Sequence, residues 1–244
     1  MHYLSGRSAN LDPSLFAVVC WLLWKNRNSF VFEKHLAAPS HLQATARRLR
    51  QQIEEALRLE AEVLWGNKAG EWIGVGWNRP QPGWSCVNTD GSVELASQSS
   101  TAGGVVRDDQ GHFLGAFAMN LGGGSITRAE LMGILQGLRC AWELGVRKVL
   151  LQTDSQAAIR IIEAATNTHP HYHIVLQVRR MVQCNWEVRI EHIYRESNMV
   201  ADFLASTGHD LLVEIHPILA PDLRLHYWLL FDLVGSQTPR LVPP

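Results

Sequence analysis

The sequence predicts an α/β fold in which a mixed β-sheet is covered by helices. Three strand-like segments follow one another after residue 84, and beyond them the apolar pattern alternates between helical and strand periods. Strands that meander and then alternate with helices typically share one mixed sheet. With 244 residues, of which 46% are hydrophobic and 18% charged, the chain can bury a substantial core in one main domain with appendages.

Two helical segments are predicted before the sheet, at residues 12–34 and 40–64, where apolar residues recur at three- and four-residue spacing. Together they suggest a helical hairpin. The segment GWNRPQPGW, residues 76–84, is rich in Pro and Gly and separates the hairpin from the strands. Residues 1–83 are therefore predicted to be an N-terminal helical extension and linker.

Five strands and four helices are predicted after the linker. The strands are SCVNTDGSV, AGGVVRDDQG, FLGAFAMNL, KVLLQTD and WEVRIEHI, and the helices span residues 127–144, 154–165, 171–183 and 197–207. These elements predict a main domain at residues 84–209. In residues 210–244, Pro217 and Pro221 interrupt apolar runs, so we expect an extended C-terminal tail that lies over the domain or contacts another copy.

Composition and charge limit the class of function. The formal net charge is −1, which by itself counts mildly against a nucleic-acid partner. The four cysteines are scattered without C-x-x-C spacing, as is typical of reduced thiols inside the cell. The apolar run at residues 15–24 is about half the roughly 20 residues needed to span a bilayer, and no signal-peptide layout precedes it. We expect an intracellular protein, nuclear or cytoplasmic, with no membrane partner.

Four acidic residues stand where a strand ends or a helix covers the sheet. Asp90 lies in the first predicted strand, Glu130 near the start of the long helix, Asp154 after the fourth strand and Asp202 in the last helix. If the first and fourth strands are central neighbours, Asp90 and Asp154 lie side by side. Carboxylates within about 4–6 Å raise each other's pKa, so a positive partner is expected. Mg²⁺ is commonly held by carboxylates, and two such ions can promote phosphodiester hydrolysis.

The four acids occur in motifs that resemble a known family. The ordered set NTDGS, RAEL, QTDSQ and H-x-x-R-E-S-N-x-x-A-D-x-L-A closely resembles the ribonuclease H domain, particularly the type found in plant non-LTR retrotransposons and the host proteins derived from them. The resemblance covers residues 84–209. It implies a ribonuclease H-like five-stranded mixed sheet whose site binds two Mg²⁺ ions, with Mn²⁺ as an alternative, and cleaves the RNA strand of an RNA–DNA hybrid. Asp90, Glu130, Asp154 and Asp202 match the family's metal-binding carboxylates.

The resemblance also assigns roles to residues near the acids. His192, ten residues before Asp202, matches the family's mobile loop histidine that helps to activate water or release product, and histidine suits proton transfer near neutral pH. Asn198 precedes Asp202 by four residues and shares its helical face, where an amide would orient the acid or contact the substrate. Gly91 would permit close approach of a substrate or a metal-bound water. The other substrate-binding candidates are Ser92, Thr127, Ser155 and Gln156.

Each assignment has a structural alternative. Asp154 could cap the helix that follows it, Asn198 could be a helix-start amide, and His192 could be a structural residue at a strand end. Thr127 stands where many family members have an asparagine that contacts the minor groove of the hybrid, although a hydroxyl can still hydrogen-bond a 2′-OH. The segment TNTHP also lacks the basic residues that strengthen hybrid binding in some relatives.

Three hypotheses for function follow. The first is a metal-dependent endonuclease that cleaves the RNA strand of RNA–DNA hybrids. The second is a catalytically weak or inactive domesticated module that binds nucleic acid or another protein. The third is an enzyme of the same fold that acts on duplex RNA or a DNA junction. The enzyme is favoured because a chain without metal chemistry has little reason to keep four self-repelling acids together.

Overall fold

A computed structural model describes residues 22, 23, 26, 27, 38–65, 71–94 and 96–242. The chain divides into two compact units, one formed by residues 1–74 with 238–244 and the other by residues 75–237.

In the smaller unit, the described residues form helix α1 (Pro39–Trp65) and a two-stranded sheet of β1 (Glu71–Val75) and β8 (Thr238–Val242). The helix predicted at residues 40–64 is thus confirmed. The helix predicted at 12–34 lies almost entirely outside the described residues, so the hairpin stays a prediction.

The larger unit contains a six-stranded mixed sheet with helices on both faces. Its strands are β2 (Ser85–Glu94), β3 (Ser99–Arg107), β4 (Phe113–Gly123), β5 (Lys148–Thr153), β6 (Glu187–His192) and β7 (Ile215–Ile218). Its helices are α2 (Ile126–Glu143), α3 (Gln156–Ala164), α4 (Tyr172–Val182), α5 (Met199–Thr207) and α6 (Leu223–Leu233). The strand order is β6-β5-β2-β3-β4-β7, and β2 pairs parallel to β5 and antiparallel to β3. The predicted α/β class is confirmed, and all five predicted strands are present.

The C-terminal segment differs from the extended tail that the sequence analysis expected. Strand β7 adds a sixth strand by pairing antiparallel with β4, and Pro217 lies in it opposite Phe117. Proline is tolerated there because β7 is at the edge of the sheet. Pro221 likewise precedes Asp222, which caps α6 by accepting a hydrogen bond from the Leu225 backbone N–H at 2.8 Å. The two prolines therefore mark an edge strand and a helix start.

The two faces of the sheet carry separate apolar cores. Neighbouring residues on β3 contribute to opposite faces, since side chains alternate along a strand. Val106 belongs to the core that includes Leu138 of α2, whereas Val105 belongs to the core that includes Leu204 of α5 and Leu225 of α6. Full burial of such side chains stabilises the fold by about 1.5–3 kcal/mol each. Helix α6 is thus an integral part of the larger unit.

The segment at residues 76–84 belongs to the larger unit and buries both of its tryptophans there, although most of its other residues are exposed. Trp77 and Trp84 are each only 5% exposed. The predicted domain boundaries, at 83/84 and 209/210, remain predictions. Among the helices of the described segments, none is long and apolar enough to cross a membrane.

Candidate active site

Three of the predicted acids meet at one point above the sheet. Asp90 lies on β2 and Asp154 directly follows β5, and the parallel pairing places Thr89 opposite Thr153 immediately before them. Glu130 reaches the same point from α2, near the start of that helix. One carboxylate oxygen from each acid lies within 4.8 Å of the others. The predicted adjacency of Asp90 and Asp154 is therefore confirmed.

Gly91 allows α2 to bring its acid this close to the sheet. A Cβ at position 91 would lie 2.5 Å from the Glu130 backbone nitrogen and 2.9 Å from the Ala129 Cβ. Any other residue would push the helix away from β2. The space that a side chain at position 91 would occupy is therefore filled by α2, and the predicted approach of a substrate or water to this glycine stays a prediction.

Burial and repulsion favour protonated acids in the absence of a cation. Burial, together with the negative charges of Asp154 and Asp202, raises the pKa of Asp90 to about 8. Burial and the charges of Asp90 and Asp154 raise the pKa of Glu130 to about 9. A backbone hydrogen bond from Gly91 lowers both pKa values without offsetting these effects.

A divalent cation fits this donor set. In the described part of the chain, the buried Oε2 of Glu130 has no hydrogen-bond partner. Carboxylate oxygens are the ligands that Mg²⁺ and Mn²⁺ prefer, and a positive charge would allow the acids to ionise together. Asp90, Glu130 and Asp154 are thus the residues that could hold such an ion.

Asp202, the fourth predicted ligand, lies beside the other three rather than among them. It stands in the first turn of α5, and its Oδ1 accepts a hydrogen bond from Arg195 Nη2 at 2.6 Å. Its charge is near enough to raise the pKa of Asp90, but its oxygens are not in the 4.8 Å group. Ion pairs that water reaches contribute only about 0–1 kcal/mol, so Arg195 can release the carboxylate at little cost. The ligand role of Asp202 stays a prediction.

His192 is placed next to the acids, at the end of a strand and not in a loop. It is the last residue of β6, opposite Thr153, and its Nε2 lies 3.2 Å from the backbone oxygen of Asp154. Thr127 is half-buried on α2, three residues before Glu130. Both lie within a turn or a strand pair of an acid, and their roles in proton transfer and substrate contact stay predictions.

Three predicted substrate-binding residues make contacts within the protein. Ser92 Oγ lies 3.1 Å from His209 Nε2, and Gln156 Oε1 accepts a hydrogen bond from an Arg160 guanidinium nitrogen at 2.8 Å. Ser155 caps α3, accepting the Ala158 backbone N–H at 3.3 Å. Because Ser155 is the cap, Asp154 is not, and the capping alternative for this acid is excluded. Substrate binding by the three stays a prediction.

Asn198 orients a different acid from the one expected. It precedes α5 at the N-cap position, but its side chain makes no capping hydrogen bond. Its Nδ2 instead donates to Asp154 Oδ1 at 3.1 Å and to the Thr89 backbone oxygen at 3.0 Å, and the residue is only 1% exposed. Asn198 therefore orients Asp154 and not Asp202, and its alternative role in substrate binding stays a prediction.

Two side-chain pairings were not predicted from the sequence, although Arg195 itself was considered as a residue that could bind the hybrid. Arg195, the partner of Asp202, was visible in the H-x-x-R-E-S-N motif at seven residues before that acid. The buried ion pair of Arg107 and Asp232 was signalled only by a charged residue next to each of two apolar runs, GGVVR and LLFDL.

Comparison with known proteins finds relatives of this part of the chain. Residues 88–208, just under half of the chain, match the family model described as reverse transcriptase-like. A curated protein from Arabidopsis thaliana, named "Putative ribonuclease H protein", is 32% identical over 240 residues, which cover 94% of this chain and 37% of that protein. The chain thus spans little more than a third of the relative's length.

Solved structures of ribonuclease H domains are also similar. An N-terminal ribonuclease H domain from Mycobacterium tuberculosis, fused to maltose-binding protein, is 22% identical with a TM-score of 0.48 and covers 52% of this chain and 94% of that chain. Ribonuclease H1 from the archaeon Halobacterium salinarum is 21% identical with a TM-score of 0.49, covering 52% and 98%. LC11 ribonuclease H1 in complex with an RNA/DNA hybrid is 19% identical with a TM-score of 0.48, covering 52% and 96%.

Proposed function

Because residues 88–208 match the reverse transcriptase-like family model, we propose that the unit at residues 75–237 is a metal-dependent endonuclease that cleaves the RNA strand of RNA–DNA hybrids. The observation that carries this proposal is the meeting of Asp90, Glu130 and Asp154 within 4.8 Å. Three carboxylates at this spacing repel one another, and a bound cation is what would let them ionise together. Such convergence of strongly perturbed acids is typical of a functional site.

The acids would hold the metal, with Asp202 joining them after it leaves Arg195. When bound, two divalent cations, Mg²⁺ or Mn²⁺, would lower the pKa of a coordinated water and stabilise the leaving oxygen of a phosphodiester. The Asn198 amide would keep Asp154 turned toward the other two acids through its 3.1 Å hydrogen bond.

The surrounding residues would position the substrate and move protons. His192 Nε2, which is exposed beside Asp154, would carry a proton between water and the phosphodiester. The Thr127 hydroxyl would contact a 2′-OH, the group that distinguishes RNA from DNA. The Arg195 side chain, 71% exposed, would bind a backbone phosphate. Ser92, Ser155 and Gln156 would reach the substrate only by giving up their internal hydrogen bonds.

The plant retroelement type of the domain is part of the same proposal. The motif set in residues 84–209 supports it, and so does the match to the Arabidopsis thaliana protein over 94% of the chain. We infer an RNA–DNA hybrid as the partner, met inside the cell in the nucleus or the cytoplasm.

Cleavage of defined substrates tests the proposal. The full chain is incubated with end-labelled RNA–DNA hybrid, duplex RNA and duplex DNA, each with Mg²⁺, with Mn²⁺ and with EDTA. We expect the RNA strand of the hybrid to be cut only when metal is present, and Asp90→Asn to bind the hybrid without cutting it. Glu163→Gln, the same chemical change at an exposed position on α3, is the matched control and should cut normally.

The same assay separates the alternatives. Hybrid binding without cleavage by the unsubstituted chain would favour a non-cleaving domesticated module. Cleavage of duplex RNA or duplex DNA in preference to the hybrid would assign a different phosphodiester substrate. Cleavage that persists in EDTA or in Asp90→Asn would contradict the metal site.

A further inference from the structure

A hydrogen-bond network of buried polar side chains runs from α6 to the acid cluster. Asp232 of α6 accepts a hydrogen bond from Arg107 Nη1 at 2.7 Å, and Arg107 Nη2 donates to Asn88 Oδ1 at 2.7 Å. Asn88 Nδ2 then donates to Asn198 Oδ1 at 3.4 Å, and Asn198 Nδ2 donates to Asp154 Oδ1 at 3.1 Å. Arg107, Asn88 and Asn198 are at most 1% exposed and Asp232 is 4% exposed. Asp154 is therefore linked by hydrogen bonds to helix α6.

The donor-only chemistry of arginine fixes which end of each amide in the network donates and which accepts. A guanidinium donates hydrogen bonds and accepts none, so Asn88 must present its oxygen to Arg107. The amide nitrogen of Asn88 then faces away, toward Asn198 Oδ1 and toward Gln152 Oε1 at 3.2 Å. Asn198 consequently presents its own nitrogen to Asp154, the orientation that suits a carboxylate acceptor. A flipped amide would place an oxygen against the acid.

Several contacts hold the Arg107 side chain in place. The Arg107 guanidinium lies 3.4 Å above the ring of Trp77, which adds a cation–π contact. Trp77 also donates from Nε1 to Gln152 Oε1 at 3.2 Å, tying the same amide that Asn88 contacts. Asp232 supplies the negative charge without which a buried arginine would be strongly destabilising. The guanidinium therefore has one well-defined position.

We propose that Asp232, Arg107 and Asn88 are positioning residues for the metal site, because they fix the orientation of the Asn198 amide and through it the Asp154 carboxylate. The inference rests on the proposed function, because that proposal makes the acid cluster a metal site. The hydrogen bonds from Asp232 to Asp154 are present without metal. Asp232 lies beyond residues 88–208, the segment that matches the reverse transcriptase-like family. Helix α6 is therefore part of the site's support and not an appendage to the domain.

Two variants of the full chain separate positioning from stability. In Arg107→Met with Asp232→Leu, a buried ion pair is replaced by apolar residues of similar size, a change that is often neutral for stability. In Asn88→Asp, the oxygen facing Arg107 is kept but the donor toward Asn198 is lost. Val175→Ala, in the apolar core on the α2 face of the sheet, is the matched control. It should lower the melting temperature without touching the hydrogen-bond network.

The first readout is the side-chain amide signal of Asn198 in ¹⁵N-labelled, metal-free protein, assigned with Asn198→Ser. We expect this signal to shift and to exchange faster with solvent in both network variants, and to be unchanged in Val175→Ala. An unchanged Asn198 signal in Asn88→Asp or in the folded double variant would overturn the proposal. This readout does not depend on nuclease activity or on metal.

The second readout is Mn²⁺ affinity measured by calorimetry. Removing residues that orient a metal ligand costs about 10–100-fold in affinity, so we expect Mn²⁺ to bind about 10-fold more weakly to both network variants. The added negative charge of Asn88→Asp would by itself strengthen Mn²⁺ binding. Weaker Mn²⁺ binding by this variant could therefore not be explained by its charge. Unchanged affinity in both variants, or weakening in Val175→Ala as well, would contradict positioning. Failure of the unsubstituted chain to bind Mn²⁺ would instead refute the proposed function.

Discussion

Two groups of buried charges lie in the same unit of this protein, and they differ in how the charge is compensated. Arg107 and Asp232 neutralise each other at 2.7 Å. Asp90, Glu130 and Asp154 are all acids, and burial with repulsion between them raises the pKa of the first two. Both arrangements are costly to bury, but only the ion pair is completed by the protein's own side chains.

This difference suggests a structural role for the ion pair and the proposed catalytic role for the acid cluster. A self-compensated pair needs nothing from outside, so the fold can use it as a fixed point. An ionised cluster of acids needs an added cation to offset its repulsion, which is why we propose that this cluster binds a metal. Asn88 and Asn198 connect the two groups by hydrogen bonds, so the rigid Arg107–Asp232 pair can hold the acid cluster in position.

Breaking the ion pair on one side should give the largest change. Arg107→Met leaves Asp232 buried without its partner, and removing one member of a buried pair typically costs about 3–5 kcal/mol. Urea denaturation of the full chain measures this loss. The double variant with Asp232→Leu should recover most of it, and a single variant as stable as the unsubstituted chain would show that the pair contributes little.

Removing one acid from the cluster should abolish chemistry while sparing the fold. Asp154→Asn deletes a proposed metal ligand, so cleavage of an RNA–DNA hybrid should fall by more than the roughly 10–100-fold that loss of a ligand's orienting partner costs. Initial rates of cleavage at saturating Mg²⁺ measure the effect. Glu163→Gln should retain the full rate, and an Asp154→Asn protein within threefold of it would remove this acid from the site.

The acid cluster should make the metal-free protein less stable as pH rises. In the unfolded chain a carboxyl group has a pKa near 4, whereas folding raises that of Asp90 to about 8 and that of Glu130 to about 9. The folded state therefore holds protons that the unfolded state releases, so stability falls as pH rises from about 4 through these values. Asp90→Asn removes part of this penalty.

Thermal melts in EDTA at pH 5 and pH 9 measure the effect. Asp90→Asn should melt several degrees above the unsubstituted chain at pH 9 and close to it at pH 5, given about 2–4 °C per kcal/mol for a domain of this size. Equal differences at both pH values would mean that repulsion within the cluster is weak. Saturating Mn²⁺ should reverse the order at pH 9, because the substituted site has lost a ligand.

Loss of the partially exposed pair at the edge of the cluster should have the smallest effect on stability. Arg195→Ala removes the 2.6 Å contact with Asp202, and pairs that water reaches are worth about 0.2–1 kcal/mol. We expect a change in melting temperature of no more than about 3 °C, together with weaker hybrid binding that is most evident at low salt. A loss above 2 kcal/mol would indicate that this pair supports the fold.

The parts of this molecule that local patterns encode could be predicted from the sequence. The five strands and the helices of residues 84–209 follow from apolar periodicity, and the acids at strand and helix ends predicted a common site that three of them form. The edge strand β7 was missed because Pro217 argues against a strand unless the edge position is known. Helix α6 was missed because Pro221 obscured the Asp222 cap signal.

Contacts between distant residues could not be predicted in the same way. Asn198 is four residues from Asp202, but it hydrogen-bonds Asp154, 44 positions away, because the α5 start lies over the end of β5. The Arg107–Asp232 pair joins residues 125 positions apart, and no periodic pattern specifies which buried acid meets a buried base. Gly91 was recognised as a site of close approach, but only the packed helix showed that α2 is what approaches.

Anomalous diffraction from crystals of the full chain grown with Mn²⁺ tests the central claim most directly. A peak among the carboxylates of Asp90, Glu130 and Asp154 is predicted, with the peak lost in crystals of Asp90→Asn. Crystals of the unsubstituted chain in millimolar Mn²⁺ that show no peak between these three acids would contradict the claim that the cluster is a metal site.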